Sequence, residues 1–258
     1  MMKNLTLFII FILAVHGLFG QADCSVNKPK PFRVGEKLSY ELVYNWGFIW
    51  AKAGQVDFEV RDTTYKGENH YFFYSFGSSF KTWDWFYKVR SSYSSIASLK
   101  LEPKKFYRNG REGSHYYNSE YTIDGRTAHL RAMDDEGKMS TKSFQLNECA
   151  FDVITAIYYC RTLDFTGLKV NDIVPLNLYL EGENFPSQLR YMGKEVLDEK
   201  RLGKPYSCIV FKPLLIDGTV FSEGENMTVW VTDDAQRVPV YIETELVVGK
   251  AKIYLQTE

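Results

Sequence analysis

The chain is predicted to be mainly β: a large antiparallel curved sheet, a barrel-like or half-barrel meander, with one buried helix packed against it. Three observations carry that prediction. Apolar residues recur at every second position in segment after segment, the pattern of a strand with one buried face. Phe, Trp and Tyr make up 16% of the residues, and strands are where aromatic side chains are enriched. One stretch alone carries a strong helical pattern.

The chain starts with an export pattern. Lys3 supplies a positive charge, an apolar run extends from Leu5 to Phe19, and the small residues Gly20 and Ala22 precede Asp23. Residues 1–22 are therefore read as a signal peptide, and residues 23–258 as a single β-rich domain with no low-complexity linker. The apolar run is short for a membrane span of about 20 residues, and no basic stop-transfer cluster follows, so no transmembrane helix is expected in the mature chain. The expected location is the periplasm or cell envelope.

The strands then follow in order. "EKLSYELVYNW" alternates through Leu38, Tyr40, Leu42 and Tyr44, and "GQVDFEV" through Val56, Phe58 and Val60. "HYFFYSF", "SHYYNSEYTID", "TAHLRA", "IVPLNLYLE", "SQLRYMGKEVL", "YSCIVFKP", "MTVWVT", "VPVYIETELVV" and "KAKIYLQT" continue in the same style. Turn signals separate them at Asn45 to Gly47, Lys66 to Asn69, Asn109 to Gly113, Asp124 with Gly125, Asp134 to Gly137, Gly182 to Asn184, and Asp217 with Gly218. A faint similarity between "WAKAGQVDFEV" and "VVGKAKIYLQT" suggests matching edges of one sheet, or chance.

"TDDAQRVPV" places two adjacent carboxylates beside Arg237, which invites an active-site reading. The flanking strands argue for a hairpin turn instead: Asp233 and Asp234 accept bonds from local amides, and Pro239 lacks a donor. Acid and base pairs are normally brought together from separate elements.

"NECAFDVITAIYYCRTLDF" is the predicted helix, with Asn147 as its cap, Glu148 and Asp152 in the first turns and Arg161 in the last. Glu148, Asp152, Thr155 and Tyr159 form one polar stripe and the rest is apolar or amphipathic, so the helix is placed against the concave face of the sheet. In "SFKTWDWFYKVRSSYSSI" the residues Phe80, Trp83, Phe86 and Tyr87 recur at helical spacing, but "FYKVRSSY" reads equally as a strand; the region 80–95 stays open between the two.

The chemistry is sparse. Lysine and arginine number 31 against 32 acidic residues, which gives no basic surface for nucleic acid, and Lys104, Lys105, Arg108 and Arg111 read as a solvated strand face. His70, His115 and His129 fall on different strands, so no metal is expected. "SFGSSF" lacks a nucleophile elbow and "GFIWAKAG" lacks a phosphate-loop lysine, so no cofactor and no catalytic residue is assigned. An enzyme is the less expected class. Cys149 and Cys160, eleven residues apart on one predicted helix, stand about 16 Å apart and too far to bond. The expected disulfide joins Cys24 to Cys149, with buried free thiols as the alternative. The dense aromatic group "KTWDWFYKV" makes Trp83, Trp85, Phe86 and Tyr87 the candidate ligand-binding residues, as groove lining or as core.

Three segments, "FRVGEKLSYELVYNWGFIWAKAG", "CAFDVITAIYYCRTLDF" and "MTVWVTDDAQRVPVYIETELVVGKAKIYL", resemble the domain of unknown function 3108 family, exported proteins of Bacteroidetes and other Gram-negative bacteria. The resemblance covers nearly the whole mature chain. It implies a barrel-like or half-barrel antiparallel sheet with a helix against it, similar to periplasmic lipoprotein carriers, and it assigns no activity. Asp152, Arg161, Asp233, Asp234 and Arg237 match the family pattern without known roles.

The leading expectation is an exported envelope protein that binds a lipid or other apolar ligand in the concave face of the half-barrel. The alternatives are an envelope scaffold or protein-interaction module with a filled core and an exposed apolar patch, and an unrecognised hydrolase.

Overall fold

The computed structural model describes residues 25–46, 49–214, 224–246 and 249–256. The expected signal peptide, Cys24, Gly47 and the turn at Asp217 and Gly218 lie outside the described residues. Alternating sequence becomes strand almost throughout. The N-terminal half is a meander of β1 (Lys37–Trp46), β2 (Ile49–Tyr65), β3 (Glu68–Ser79), β4 (Val89–Ser98), β5 (Pro103–Glu112), β6 (His115–Asp124), β7 (Thr127–Met133) and β8 (Met139–Gln145). After β9 (Ala150–Phe151) and the helix α1 (Val153–Arg161) comes a second meander: β10 (Ile173–Leu180), β11 (Glu183–Leu197), β12 (Tyr206–Pro213), β13 (Met227–Thr232), β14 (Pro239–Glu245) and β15 (Lys250–Gln256).

All fifteen strands form one curved sheet in the order β8-β7-β6-β5-β4-β3-β2-β1-β15-β14-β13-β12-β11-β10-β9. The first and last long strands meet in its middle, with Tyr40 opposite Leu255 and Val43 opposite Lys252. The two segments of faint similarity, in β2 and β15, therefore both flank β1 at the centre and are not matching edges.

The sheet does not close. β9 adds only two residues beside β10, in parallel. Side chains bridge the gap instead: Asn184 Nδ2 donates to the Gln145 carbonyl (2.7 Å), Asn184 Oδ1 accepts from the Asn147 amide (2.9 Å), and Arg108 pairs with Glu181 (2.9 Å). Gly182 makes this approach possible, since it sits at φ +79° and an added Cβ would lie 2.8 Å from Lys142 Cδ.

The concave face is filled. Val60, Phe73, Phe106, Tyr121, Ala128 and Leu130 project inward from the N-terminal meander onto Ile154 and Tyr158 of α1 and onto Val26 and Phe32 of the preceding segment. Phe73 and Tyr158 stack at 4.1 Å with 14° between their planes. Each such ring, fully buried, contributes about 1.5–3 kcal/mol from burial and up to about 1.5 kcal/mol more from ring contact. Phe165, Leu189, Tyr191, Ile209, Phe211, Val229 and Val231 form the matching core of the second meander. No helix among the described residues is long and apolar enough to cross a membrane.

Several local expectations are corrected. The helix begins at Val153, not after Asn147: Cys149 takes φ +56°, which no helix tolerates, residues 150 and 151 pair as strand, and Asp152 is the cap. The expected polar stripe is divided: Glu148 lies before the helix and is exposed, and Tyr159 is half-buried. Asp152 and Thr155 are completely buried against β4, because a hydroxyl there meets them. The region 80–95 holds a single 3-10 turn (Lys81–Trp83) and then strand, so the strand alternative for "FYKVRSSY" is the observed one. Asn109 and Gly110 lie inside β5, and the turn begins only at Gly113. Arg108 leaves the expected solvated face and turns inward over the Tyr117 ring, 3.9 Å from its centroid.

Candidate functional site

The four aromatic candidates occupy the connection from β3 to β4. Two strand ends anchor it: the Phe80 amide donates to Ala53 O (2.8 Å), and the Trp83 indole donates to Lys52 O (2.7 Å). Asp84 holds the turn from inside. It accepts from Ser79 Oγ (2.6 Å) and from the Arg90 guanidinium (2.8 Å), and these two groups keep its carboxyl below the ordinary range. Tyr87 packs flat against Gly113, where a Cβ would come within 2.7 Å of its ring.

The turn therefore splits the group. Trp83 and Tyr87 lie against the sheet, whereas Trp85 is 73% exposed and Phe86 46% exposed, in edge contact with each other at 5.9 Å. Phe86 also lies 6.5 Å from Tyr44. Trp50, at the start of β2, is exposed under Lys252 at 5.1 Å. None of the four belongs to the buried clusters that fill the concave face.

Recesses among the described residues lie elsewhere. One of about 400 Å³ is walled by Leu101, Pro103, Ile123, Leu146 and Phe151, at the opposite ends of the strands from residues 80–88. Another of about 320 Å³ lies between residues 25–28 and the end of α1, at Tyr159 and Leu163. Both open widely to solvent.

Two buried polar centres organise the interior. Asp152 Oδ1 accepts from the Ile154 and Thr155 amides (3.0 and 2.8 Å), and Oδ2 accepts from Ser95 Oγ and Thr155 Oγ1 (both 2.8 Å). Burial pushes this carboxyl above its ordinary range, against the pull of those four donors. The second centre is Arg161, whose side chain is 3% exposed. It makes a two-pronged pair with Glu36 (2.6 and 3.0 Å) and donates to the carbonyls of Pro31 (3.1 Å) and Gln236 (2.9 Å). The three segments that carry the family resemblance thus meet at one guanidinium.

Asp233 and Asp234 are turn residues. Asp234 Oδ1 accepts from Thr232 Oγ1, the Gln236 amide and the Arg237 amide, and Asp233 pairs with Lys194. Sequence reasoning missed a further cluster: Ser91, Tyr93 and Tyr117 all donate to Glu112 Oε1 from adjacent inward-facing positions, beneath Arg108. Ser91 is 3% exposed, and burial raises both tyrosine hydroxyls, so at ordinary pH the cluster keeps its protons and ties β4, β5 and β6 together on their inward face. Its signal was the alternation of β4, where serines and a tyrosine occupy inward positions. Cys149 is disulfide-bonded, while Cys160 and Cys208 are free thiols.

A sequence model described as "Protein of unknown function (DUF3108)" matches residues 39–256. The comparison with curated proteins yields no match. Among solved structures, the chain is similar in fold to the crystal structure of a beta-barrel-like protein of domain of unknown function DUF1849 from Brucella abortus. The TM-score is 0.56 at 8% identity, over 86% of this chain and 95% of that one.

Proposed function

The chain belongs to DUF3108, a family of proteins of unknown function, and from that premise we propose that it is an exported cell-envelope protein that docks onto a lipid surface through Trp85 and Phe86. The observation that carries this reading is the exposure of both rings at the tip of a braced turn, on a sheet whose concave face is already filled. A tip held by Ser79, Asp84 and Arg90 presents its rings without having to order them on contact. Moving the exposed ring surface, roughly 250 Å², out of water is worth on the order of 5 kcal/mol. Trp and Tyr favour the bilayer interface, and Lys81 and Lys88 flank the tip in the sequence, where they would attract anionic headgroups.

The test is flotation with vesicles of phosphatidylethanolamine and phosphatidylglycerol. The wild type floats with a blue-shifted indole emission, and Trp85→Ser/Phe86→Ser stays behind with unchanged thermal unfolding. Equal flotation of the two, or a wild type that never floats, overturns the proposal.

A second reading, carriage of a small apolar ligand, rests on the recess of about 400 Å³ beside Leu101, Ile123 and Leu146, at the lower end of the range for ligand pockets. Native mass spectrometry of protein from its own periplasm decides it: a one-to-one apolar adduct supports carriage and an apo mass removes it. The expected Cys24–Cys149 bridge belongs to either reading, and the free state of Cys160 and Cys208 supports it.

A further inference from the structure

The two recesses adjoin. Ser25 borders both, and the Phe151 ring that lines the larger stacks on the Tyr159 ring that lines the smaller, at 4.3 Å with 26° between their planes. The segment 25–28 runs between them, since all four of its residues line the smaller recess and Ser25 also lines the larger. Alone, recesses of about 400 and 320 Å³ stand at the low end of ligand pockets, about 300–1,000 Å³; joined, they lie well inside that range.

The hold on this segment is concentrated at its start. Val26 belongs to the core cluster of Leu101, and its amide donates to the Lys100 carbonyl (3.0 Å). Cys149, on the wall of the larger recess, is disulfide-bonded; with Cys160 and Cys208 free, the cysteine left to it is Cys24, directly before Ser25. Asn27, Lys28 and Pro29 are exposed, and the Lys30 ammonium turns back on the carbonyls of Val26 and Lys28. The chain is pinned afresh at Pro31, whose carbonyl accepts from Arg161 (3.1 Å), and at Phe32, in edge contact with Phe73 and Tyr158. Releasing residues 25–30 therefore leaves the core below them in place.

The surroundings select an occupant. Leu101, Ile123, Leu146 and Phe151 give the larger recess apolar walls. Lys28 lines the smaller, and among the described residues no ion pair ties it or Lys30. Burial, and then the charge of Lys28, hold the Lys30 ammonium below its ordinary range. Asp164 is the carboxylate on this recess, and Arg237 is engaged at the Asp234 carbonyl (3.2 Å). Two ammonium groups against one carboxylate leave this end positive, complementary to an anionic head.

We propose, on the carriage reading of the larger recess, that residues 25–28 are a strap latched by the Cys149 bridge, and that opening the bridge joins the recesses into one groove for a single-chain amphiphile with an anionic head. The chain lies toward Leu146 and the head at Lys28 and Lys30. A dithiol reductant opens the latch by exchange: one of its thiolates attacks a sulfur of the bridge, its second thiol displaces the mixed disulfide, and the protein gains two thiols as the reductant becomes a disulfide. Cys149 is half-buried on an open recess, where such a thiolate reaches it.

Isothermal titration with decanoate, and with decanol as the uncharged control, tests it. Wild type treated with dithiothreitol and Cys24→Ser/Cys149→Ser without reductant both bind decanoate about tenfold or more tighter than the bridged wild type. Lys28→Gln/Lys30→Gln in the double-serine background loses about tenfold for decanoate and nothing for decanol, with each fold checked by circular dichroism. Equal affinity with the bridge open and closed overturns the strap and leaves carriage standing, and decanoate binding that survives the loss of both lysines overturns the anionic head. Binding by none of the forms overturns the whole proposal, while carriage stands or falls by the native mass.

Discussion

Replacing Arg161 with alanine is expected to cost more stability than any other single change in the chain. The side chain is 3% exposed and its partner Glu36 15% exposed, so the pair lies largely out of water. Deleting one partner of such a pair typically costs about 3–5 kcal/mol, because the remaining charge stays buried. The carbonyls of Pro31 and Gln236 lose their donor as well, at about 1 kcal/mol each. The rings of Phe32 and Tyr158 lose a cation at 5.6 and 5.7 Å. A loss of about 5 kcal/mol is comparable with the whole stability of many domains, about 5–15 kcal/mol. Arg161→Ala/Glu36→Gln should recover part of it, since the orphaned carboxylate is then neutral. The assay is urea unfolding followed together by circular dichroism and tryptophan emission. If Arg161→Ala unfolds within 1 kcal/mol of the wild type, roughly the value of an exposed pair, the guanidinium does not tie the three segments as described.

The other expectations are narrower. Asp152 has a folded-state pKa above its ordinary 3.8, so the stability it contributes is full below that value and is lost as pH rises through the raised one. Asp152→Asn keeps an amide-accepting cap and removes the charge; it should flatten the stability profile between the ordinary and the raised value, whereas Asp152→Ala should lose about 2 kcal/mol. An Asn variant with the wild-type pH profile contradicts the assignment. Burial pushes the Cys160 thiol up to about 12 and that of Cys208 to about 11. Neither should react with Ellman's reagent at pH 8 in the folded protein, and two thiols should react in denaturant without reductant. A third reactive thiol under those conditions rules out the Cys24–Cys149 bridge.

Much of the architecture is local in origin and was legible. Val56, Phe58 and Val60 alternate because one face of β2 is buried, and Asp234 makes a turn because its carboxylate reaches the amides of Gln236 and Arg237, two and three residues on. Where local signals misled, a distant partner had intervened. The apolar run before Val153 looked helical, but it pairs with β10. "NGREG" looked like a turn, but β4 and β6 hold Asn109 and Gly110 on both sides.

The candidate sites divide in the same way. The aromatic group at 83–87 was visible as composition, but composition does not reveal which ring faces water; the Ser79–Asp84–Arg90 brace decides that by turning Trp85 outward. Tyr74 and Tyr107, 33 positions apart, stand in one row across three strands only because of the register. The sequence by itself determined the strand pattern, the hairpin turns and the aromatic content, because each follows from neighbours within a few residues. The tertiary structure alone decided that Asp152 is buried, that Arg161 gathers Glu36 and Gln236, and that the sheet stays open. The first two outcomes depend on contacts between residues 57 to 125 positions apart along the chain, Asp152 with Ser95 and Arg161 with Gln236 and Glu36, which no local periodicity encodes.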